Sequence, residues 1–221
     1  MSGLSRSIHL TVHIHKDPAA MAERAAHILA AACEEAVADR GVFRIALSGG
    51  QTPIPLFRLL AGDDWADRLP WDKMSIFWVD ERCVGPEHAD SNYGLARKEL
   101  LSYVPATHFY RMRGEEDPVE AAAKYENQLR AEFDLGPQEM PRFDFMLLGM
   151  GEDGHTASIF PGAPGLARAL HGSGPVTFGL FQREQRSLFG EILDWMLTPL
   201  LLLWPISLAL TWLVAQGIAD K

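Results

Sequence analysis

Phe143-Asp144-Phe145-Met146-Leu147-Leu148-Gly149-Met150-Gly151-Glu152-Asp153-Gly154-His155 is the stretch on which the reading of this chain turns. Six mostly apolar residues, too short a run for a helix, lead straight into a glycine turn that carries a carboxylate and an imidazole. The run predicts a buried central strand over residues 143–148, with a titratable pair at its carboxyl end.

The same arrangement recurs upstream. Residues 42–47 read as a strand followed by Ser48-Gly49-Gly50-Gln51-Thr52 and a helix opening at Pro53. Residues 74–79 read as another, followed by Asp80-Glu81-Arg82 and a loop to Ser91, which can cap a helix running through Leu101. A short strand near residues 108–110 precedes a helix from Pro118 to about Phe133. Alternating strands and helices predict an α/β fold, a doubly wound, mostly parallel sheet of the Rossmann-like kind covered on both faces. Ligands of such sheets bind at the carboxyl ends of the strands, so the three loops are expected to converge.

The amino end reads differently. Residues 8–15 alternate Ile8, Leu10, Val12 and Ile14 with His9, Thr11, His13 and His15, the period of a half-buried strand. His13 and His15 lack a nearby carboxylate or thiolate partner, so they read as solvated strand histidines and no metal is expected. Asp17 can cap a helix with Pro18 in its first turn, an Ala-rich body towards Asp39 and Gly41 just beyond.

Composition narrows the function classes. At 221 residues and 24.5 kDa, with 48% hydrophobic and 22% charged residues, the chain can bury the core of one α/β domain and has no room for a second. A net charge of −9 and a pI near 5.3 leave no basic stripe for nucleic acid, so any anionic ligand must be held locally. Cys33 and Cys83 are too few and too far apart for a disulfide framework, as expected in a reducing compartment. Residues 1–16 show no secretory signal, which places synthesis in the cytoplasm.

Each loop has a chemical reading beside a plain one. Gly49 and Gly50 let backbone approach an anion at a helix start, with Thr52 adding a hydroxyl; a tight strand-to-helix turn would look the same. Arg82 suits bidentate phosphate or carboxylate recognition and Asp80 could orient a hydroxyl or a histidine, whereas the triplet could equally be a solvated charge cluster. Asn92 and Tyr93 follow closely enough to line the same cleft. Asp153 beside His155 suits proton transfer near neutral pH, against an exposed loop histidine steadied by its neighbour.

Three stretches together resemble the 6-phosphogluconolactonase family, which is related to the glucosamine-6-phosphate deaminases. They are Leu47-Ser48-Gly49-Gly50-Gln51-Thr52-Pro53, Trp78-Val79-Asp80-Glu81-Arg82 with Asp90-Ser91-Asn92-Tyr93, and residues 148–161 around Asp153-Gly154-His155-Thr156-Ala157-Ser158. The resemblance covers about residues 19–169. It implies hydrolysis of 6-phosphoglucono-1,5-lactone to 6-phosphogluconate in the oxidative pentose phosphate pathway, with no metal or organic cofactor. By position it makes His155 the general base, Asp153 its orienting partner, and Ser48, Gly49, Gly50, Thr52, Asp80, Arg82 and Asn92 the substrate contacts. Deaminases of the superfamily carry a glutamate five positions after the histidine, where this chain has Phe160, so lactone hydrolysis is favoured over amino-sugar-phosphate deamination.

Beyond residue 169 the resemblance stops. Family members usually continue with further strands and helices, including an Arg- and Thr-rich strand and a late lysine. Here residues 170–194 read as a linker, and residues 195–218 hold no charged side chain. As a helix, residues 196–215 would be about 30 Å long, enough to cross a bilayer, and Pro199 and Pro205 are tolerated there. Arg183 and Arg186 ahead of the span favour a cytoplasmic N-terminal domain over the side of Lys221. The expectation is a lactonase-like domain over 1–169 with an incomplete sheet, weakly active or unstable, in membrane contact through this tail. A fused or substituted tail and a non-catalytic, membrane-tethered sugar-phosphate-binding module are the competing readings, and the sequence carries no signal for an oligomeric state.

Overall fold

The computed structural model describes residues 11–137 and 139–161. The N-terminal helix α1 (Pro18–Arg40) is bounded as its sequence predicts. Asp17 Oδ1 accepts from the Ala20 amide at 2.7 Å, and Gly41, at φ 74°, closes the other end by donating to Val37 O at 2.9 Å. One stripe of α1, formed by Ala22, Ala26, Leu29, Cys33 and Ala36, is buried. Burial pushes the Cys33 thiol up to about 11, so Cys33 is an inert core residue.

Four parallel strands form the sheet in the order β3-β2-β1-β4: β1 (Phe43–Leu47), β2 (Met74–Trp78), β3 (His108–Tyr110) and β4 (Phe145–Met146). Helices α2 (Ile54–Leu60) and α3 (Asp63–Ala66) connect β1 to β2, and α4 (Asn92–Ala96), continued by a π-helical turn over Arg97–Leu101, connects β2 to β3. Helix α5 (Pro118–Glu132) then carries the chain back across the sheet to place β4 on the other side of β1. The direction of winding therefore reverses between β1 and β4.

Both faces are covered, and the period of two in each strand sorts the side chains between them. Ile45, Leu47, Ile76 and Trp78 pack with α1, α2 and Leu100. Ala46, Phe77 and Val79 pack with Ala121, Tyr125 and Leu129 of α5, where Phe77 stacks on Tyr110 at 4.8 Å. Strand β4 is tied to β1 by side chain as well as backbone: Arg44 N donates to Asp144 Oδ2 at 2.8 Å, and Leu147 N to Ala46 O at 2.9 Å.

Two expectations need correcting. Residues 11–15 form no strand, and Ile14 is 87% exposed. Alternation alone does not hold a strand, and among the described residues nothing pairs with this one. Among the described residues the run 143–148 is not central either: there it pairs only at Phe145–Met146, at the end of the strand order, and Leu148 is 42% exposed. Among the described residues its one strand neighbour is β1, while Phe145 and Leu147 pack on the α1/α2 side of the sheet and Phe143 and Met146 on the α5 side. No helix among the described residues is long and apolar enough to cross a membrane, and the span expected at 196–215 lies outside them, as do the linker 170–194 and residues 162–169.

Tyr125 completes the sheet where β3 runs out. The β2/β3 ladder ends at Phe77 opposite Tyr110, and Val79 turns its N–H towards Leu47 O of β1 at 2.8 Å, so Trp78 faces the vacated side. There the buried Tyr125 hydroxyl donates to Trp78 O at 2.9 Å and accepts from Trp78 N at 3.1 Å. Tyr125→Phe leaves both backbone groups buried without partners and is expected to cost about 1–3 kcal/mol. Urea denaturation should show it as a lower midpoint at unchanged m-value.

Candidate active site

The loop after β1 is shaped by lack of room as much as by its residues. A Cβ on Gly49 would stand 1.7 Å from Asn92 Oδ1, so only glycine lets α4 approach this backbone. Gly50 adopts φ 81°, in the left-handed region that glycine enters without strain. Helix α2 has no side-chain N-cap; Ile54 N turns back to Gln51 O at 3.3 Å, and Pro53 and Pro55 bring no N–H to its first turn. Gly50 and Thr52 are exposed, and no bond ties them to the other loops among the described residues.

The Asp80-Glu81-Arg82 triplet is not a solvated charge cluster, because Asp80 is 6% and Glu81 2% exposed. Glu81 accepts from the amides of Arg82 (2.8 Å), Asn92 (2.7 Å) and Tyr93 (2.9 Å) and from Ser91 Oγ (3.1 Å). Burial pushes its carboxyl above the ordinary value, against those four donors. With Ser91 Oγ accepting from Gly94 N at 2.9 Å, Glu81 holds the start of α4 on the end of β2. Its role is structural. Asn92 is held in turn, donating through Nδ2 to the Asp80 carbonyl at 2.8 Å.

Asp80 faces the third loop. The Ser158 hydroxyl donates to its Oδ2, and burial pushes the carboxyl up while Ser158, Arg82 and His155 pull it down. Half-buried Arg82 keeps its Nε buried and, among the described residues, without a hydrogen-bond partner. A buried guanidinium N–H in that condition is a donor that these neighbours leave unused.

The loop carrying His155 is closed on itself. Gly151 N donates to His155 O at 2.8 Å, Gly154 N to Gly151 O at 2.9 Å, and Thr156 Oγ1 to Gly149 O at 2.7 Å. His155 Nδ1 lies 2.5 Å from Asp153 Oδ1, whose carboxyl is held below its usual range by hydrogen bonds from the His155 amide and ring. An ionised carboxylate only accepts, so Nδ1 is the donor in this pair. The ring is 28% exposed and lies against Phe160, centroids 4.5 Å apart. A Cβ on Gly151 would stand 2.2 Å from His155 Cε1, so Gly151 clears the space the imidazole occupies.

Next to it, Ala157 (φ 48°) and Ser158 (φ 61°) are both left-handed and both buried, and Ile159 N closes the turn on Thr156 O at 2.8 Å. This is the pattern of a type I′ turn, which ordinarily takes Asn and Gly. Such backbone costs about 1–3 kcal/mol per residue and persists only where its surroundings enforce it.

These links draw the loops together. Gly49 meets Asn92, Asn92 meets Asp80, Asp80 meets Ser158 on the histidine loop, and Ser48 Oγ lies 3.8 Å from where a Cβ on Gly149 would be. The gathering point is the boundary of β1 and β4, where the winding reverses and an open α/β sheet parts to admit ligands. Sequence reasoning missed Ser158, whose left-handed backbone carries no residue signature, and the structural use of Glu81, for which a cap-forming Ser91 ten residues on was the available hint. A separate cleft of about 520 Å³ beyond β3 is lined by Phe109, Arg111, Arg113, Ala121, Lys124, Tyr125 and Gln128, none of them a candidate residue. Its cations are already paired, Arg111 with Glu115, and Arg113 and Lys124 with Glu116.

A family model described as glucosamine-6-phosphate isomerases/6-phosphogluconolactonase matches residues 16–179. Over 154 residues the chain is 43% identical to a 6-phosphogluconolactonase of Nostoc sp., covering 68% of this chain and 62% of that protein. It is 44% identical over 147 residues to one from Synechocystis sp., covering 65% and 60%. The chain thus spans about three fifths of the length of these curated relatives. Among solved structures, the 6-phosphogluconolactonase from Leishmania guyanensis superposes with a TM-score of 0.66 at 26% identity, over 81% of this chain and 75% of that one. A monomeric glucosamine-6-phosphate deaminase shares the fold at a TM-score of 0.56 and 19% identity, over 67% and 58%.

Gly151→Ala places a methyl group on the imidazole, so His155 must move or the loop must open. A displacement near 1 Å at a reacting group can cost about 100-fold in rate. The variant is expected to lose about that much of whatever turnover the wild type shows, with a circular-dichroism melt showing the sheet intact.

Proposed function

Because the chain belongs to the glucosamine-6-phosphate isomerase/6-phosphogluconolactonase family, we propose that it hydrolyses 6-phosphoglucono-1,5-lactone to 6-phosphogluconate at the crevice between β1 and β4. One observation carries the reading: a histidine whose Nδ1 is engaged by Asp153, on the loop that reaches Asp80 through Ser158 and comes close to Ser48 ahead of the glycine pair.

The chemistry follows from that tautomer. His155 Nε2 takes a proton from a water molecule as its oxygen attacks the lactone carbonyl carbon. The tetrahedral intermediate collapses, the bond from that carbon to the ring oxygen breaks, and the imidazolium returns the proton to the departing oxygen. Asp153 balances the transient charge. Such acid–base work is typically worth ~10²- to 10⁴-fold in rate. Arg82, with its unpartnered Nε, and the amides around Gly49, Gly50 and Thr52 hold the phosphate, anchoring the far end of the substrate so that its carbonyl meets the water. Ser48, Asp80 and Asn92 complete the substrate contacts. No step calls on a metal or an organic cofactor.

Phe160 bears on the competing reaction. Its ring sits tilted against His155 where a deaminase of the superfamily carries a carboxylate, and a phenyl group cannot protonate the ring oxygen of an amino sugar. We further propose that residues 196–215 attach the chain to a membrane, on the strength of their unbroken apolar character.

With freshly prepared lactone and correction for its spontaneous opening, the purified chain should accelerate hydrolysis. His155→Ala should bring the rate down by about 10²- to 10⁴-fold. Arg82→Ala should mainly raise KM. Binding of 6-phosphogluconate with no turnover, indifferent to His155→Ala, would instead make the chain a sugar-phosphate-binding module. For the tail, the full chain should sediment with membranes and resist an alkaline carbonate wash; recovery in the supernatant would refute attachment.

A further inference from the structure

The histidine loop follows a short strand. Among the described residues strand β4 pairs only at Phe145–Met146, and Leu148 beyond it is exposed. Within residues 149–159, the bonds from Gly151, Gly154, Thr156 and Ile159 all close inside the loop. Ser158 is different. Its hydroxyl leaves the loop to reach the buried carboxylate of Asp80 at the end of β2. To make that bond the backbone takes two successive left-handed residues, neither of them glycine, with both side chains buried. A glycine at position 158 would adopt this φ without strain but would have no hydroxyl to offer.

We propose that Ser158 is a positioning residue for His155: its bond to Asp80 straps the histidine loop to the end of β2, and through Asn92 to the glycine loop, fixing the imidazole in the crevice. The inference rests on the lactonase reading for its kinetic consequence, not for its geometry. Asp80 is itself immobilised, since Asn92 Nδ2 donates to its carbonyl and Glu81 anchors Asn92 N at 2.7 Å. The strap therefore ends on a rigid point. Ala157 and Ile159, on either side of Ser158, pack into the core layer under α5, so the hydroxyl locks a turn that apolar contacts already seat.

The test compares Ser158→Gly and Ser158→Ala in the full chain. Both remove the hydroxyl, but glycine also removes the backbone strain, so Ser158→Gly should melt at or above the temperature of Ser158→Ala. Both should lower kcat by about 10- to 100-fold with KM within about threefold of wild type, as misplacement of the base requires. In a double-mutant cycle, Ser158→Gly should cost little more once Asp80→Ala is present, because the two share one contact. Wild-type kcat in Ser158→Gly, or strictly multiplicative losses in the cycle, would overturn the proposal. The imidazole ¹⁵N resonances of His155 give a readout independent of turnover. They should move or broaden in Ser158→Gly, and unchanged resonances would overturn the strap. If the wild type opens no lactone, the lactonase reading fails while these resonances still decide the strap.

Discussion

Strand β1 is hydrogen-bonded along both edges, to β2 from Phe43 to Leu47 and to β4 at Ile45 and Ala46, and the candidate site exists because of that double pairing. The chain leaves β1 in one direction through α2 and returns to its other edge through α5. Loops that leave β1 and β4 must then part to opposite faces, and the gap between them is where ligands enter such sheets. The β1–β4 ladder is what brings the start of the histidine loop level with Ser48 at the end of β1.

The crevice is organised by carboxylates that do different work. Glu81 is spent on three amides and a hydroxyl, and its burial is tolerable because each lone-pair direction meets a donor. Asp80, one residue earlier, points to the other side of the chain and takes the Ser158 hydroxyl. Asp153 stays in solvent, where its charge costs little and serves to fix the tautomer of His155. Three acidic residues on these loops thus differ in burial and in the donors that reach them.

Space is used as deliberately as charge. Gly49 makes way for Asn92 and Gly151 makes way for the imidazole, so two glycines of the loops serve packing, not flexibility. Backbone strain at Ala157 and Ser158 runs the other way, being accepted so that a side chain can be placed. The wider cleft beyond β3, by contrast, has its cations neutralised by neighbouring glutamates, whereas Arg82, at the carboxyl end of β2, keeps a buried N–H without a hydrogen-bond partner among the described residues.

Local rules were enough for much of this architecture. Asp17, Pro18 and Gly41 bound α1, the apolar runs before Ser48 and Asp80 become β1 and β2, and the glycine turn with Asp153 and His155 follows β4, because caps, turn residues and hydrophobic period act within a few residues of themselves. Residues 11–15 and 143–148 mark the limit: strand character there depends on a neighbour to pair with, and a neighbour is a tertiary fact. So too are the burial of Asp80 and Glu81 and the reach of Ser158 across to Asp80. Whether a charged triplet is solvent-facing or locked, and whether a serine in a turn is idle or holds two loops together, is decided by what the rest of the fold brings against it.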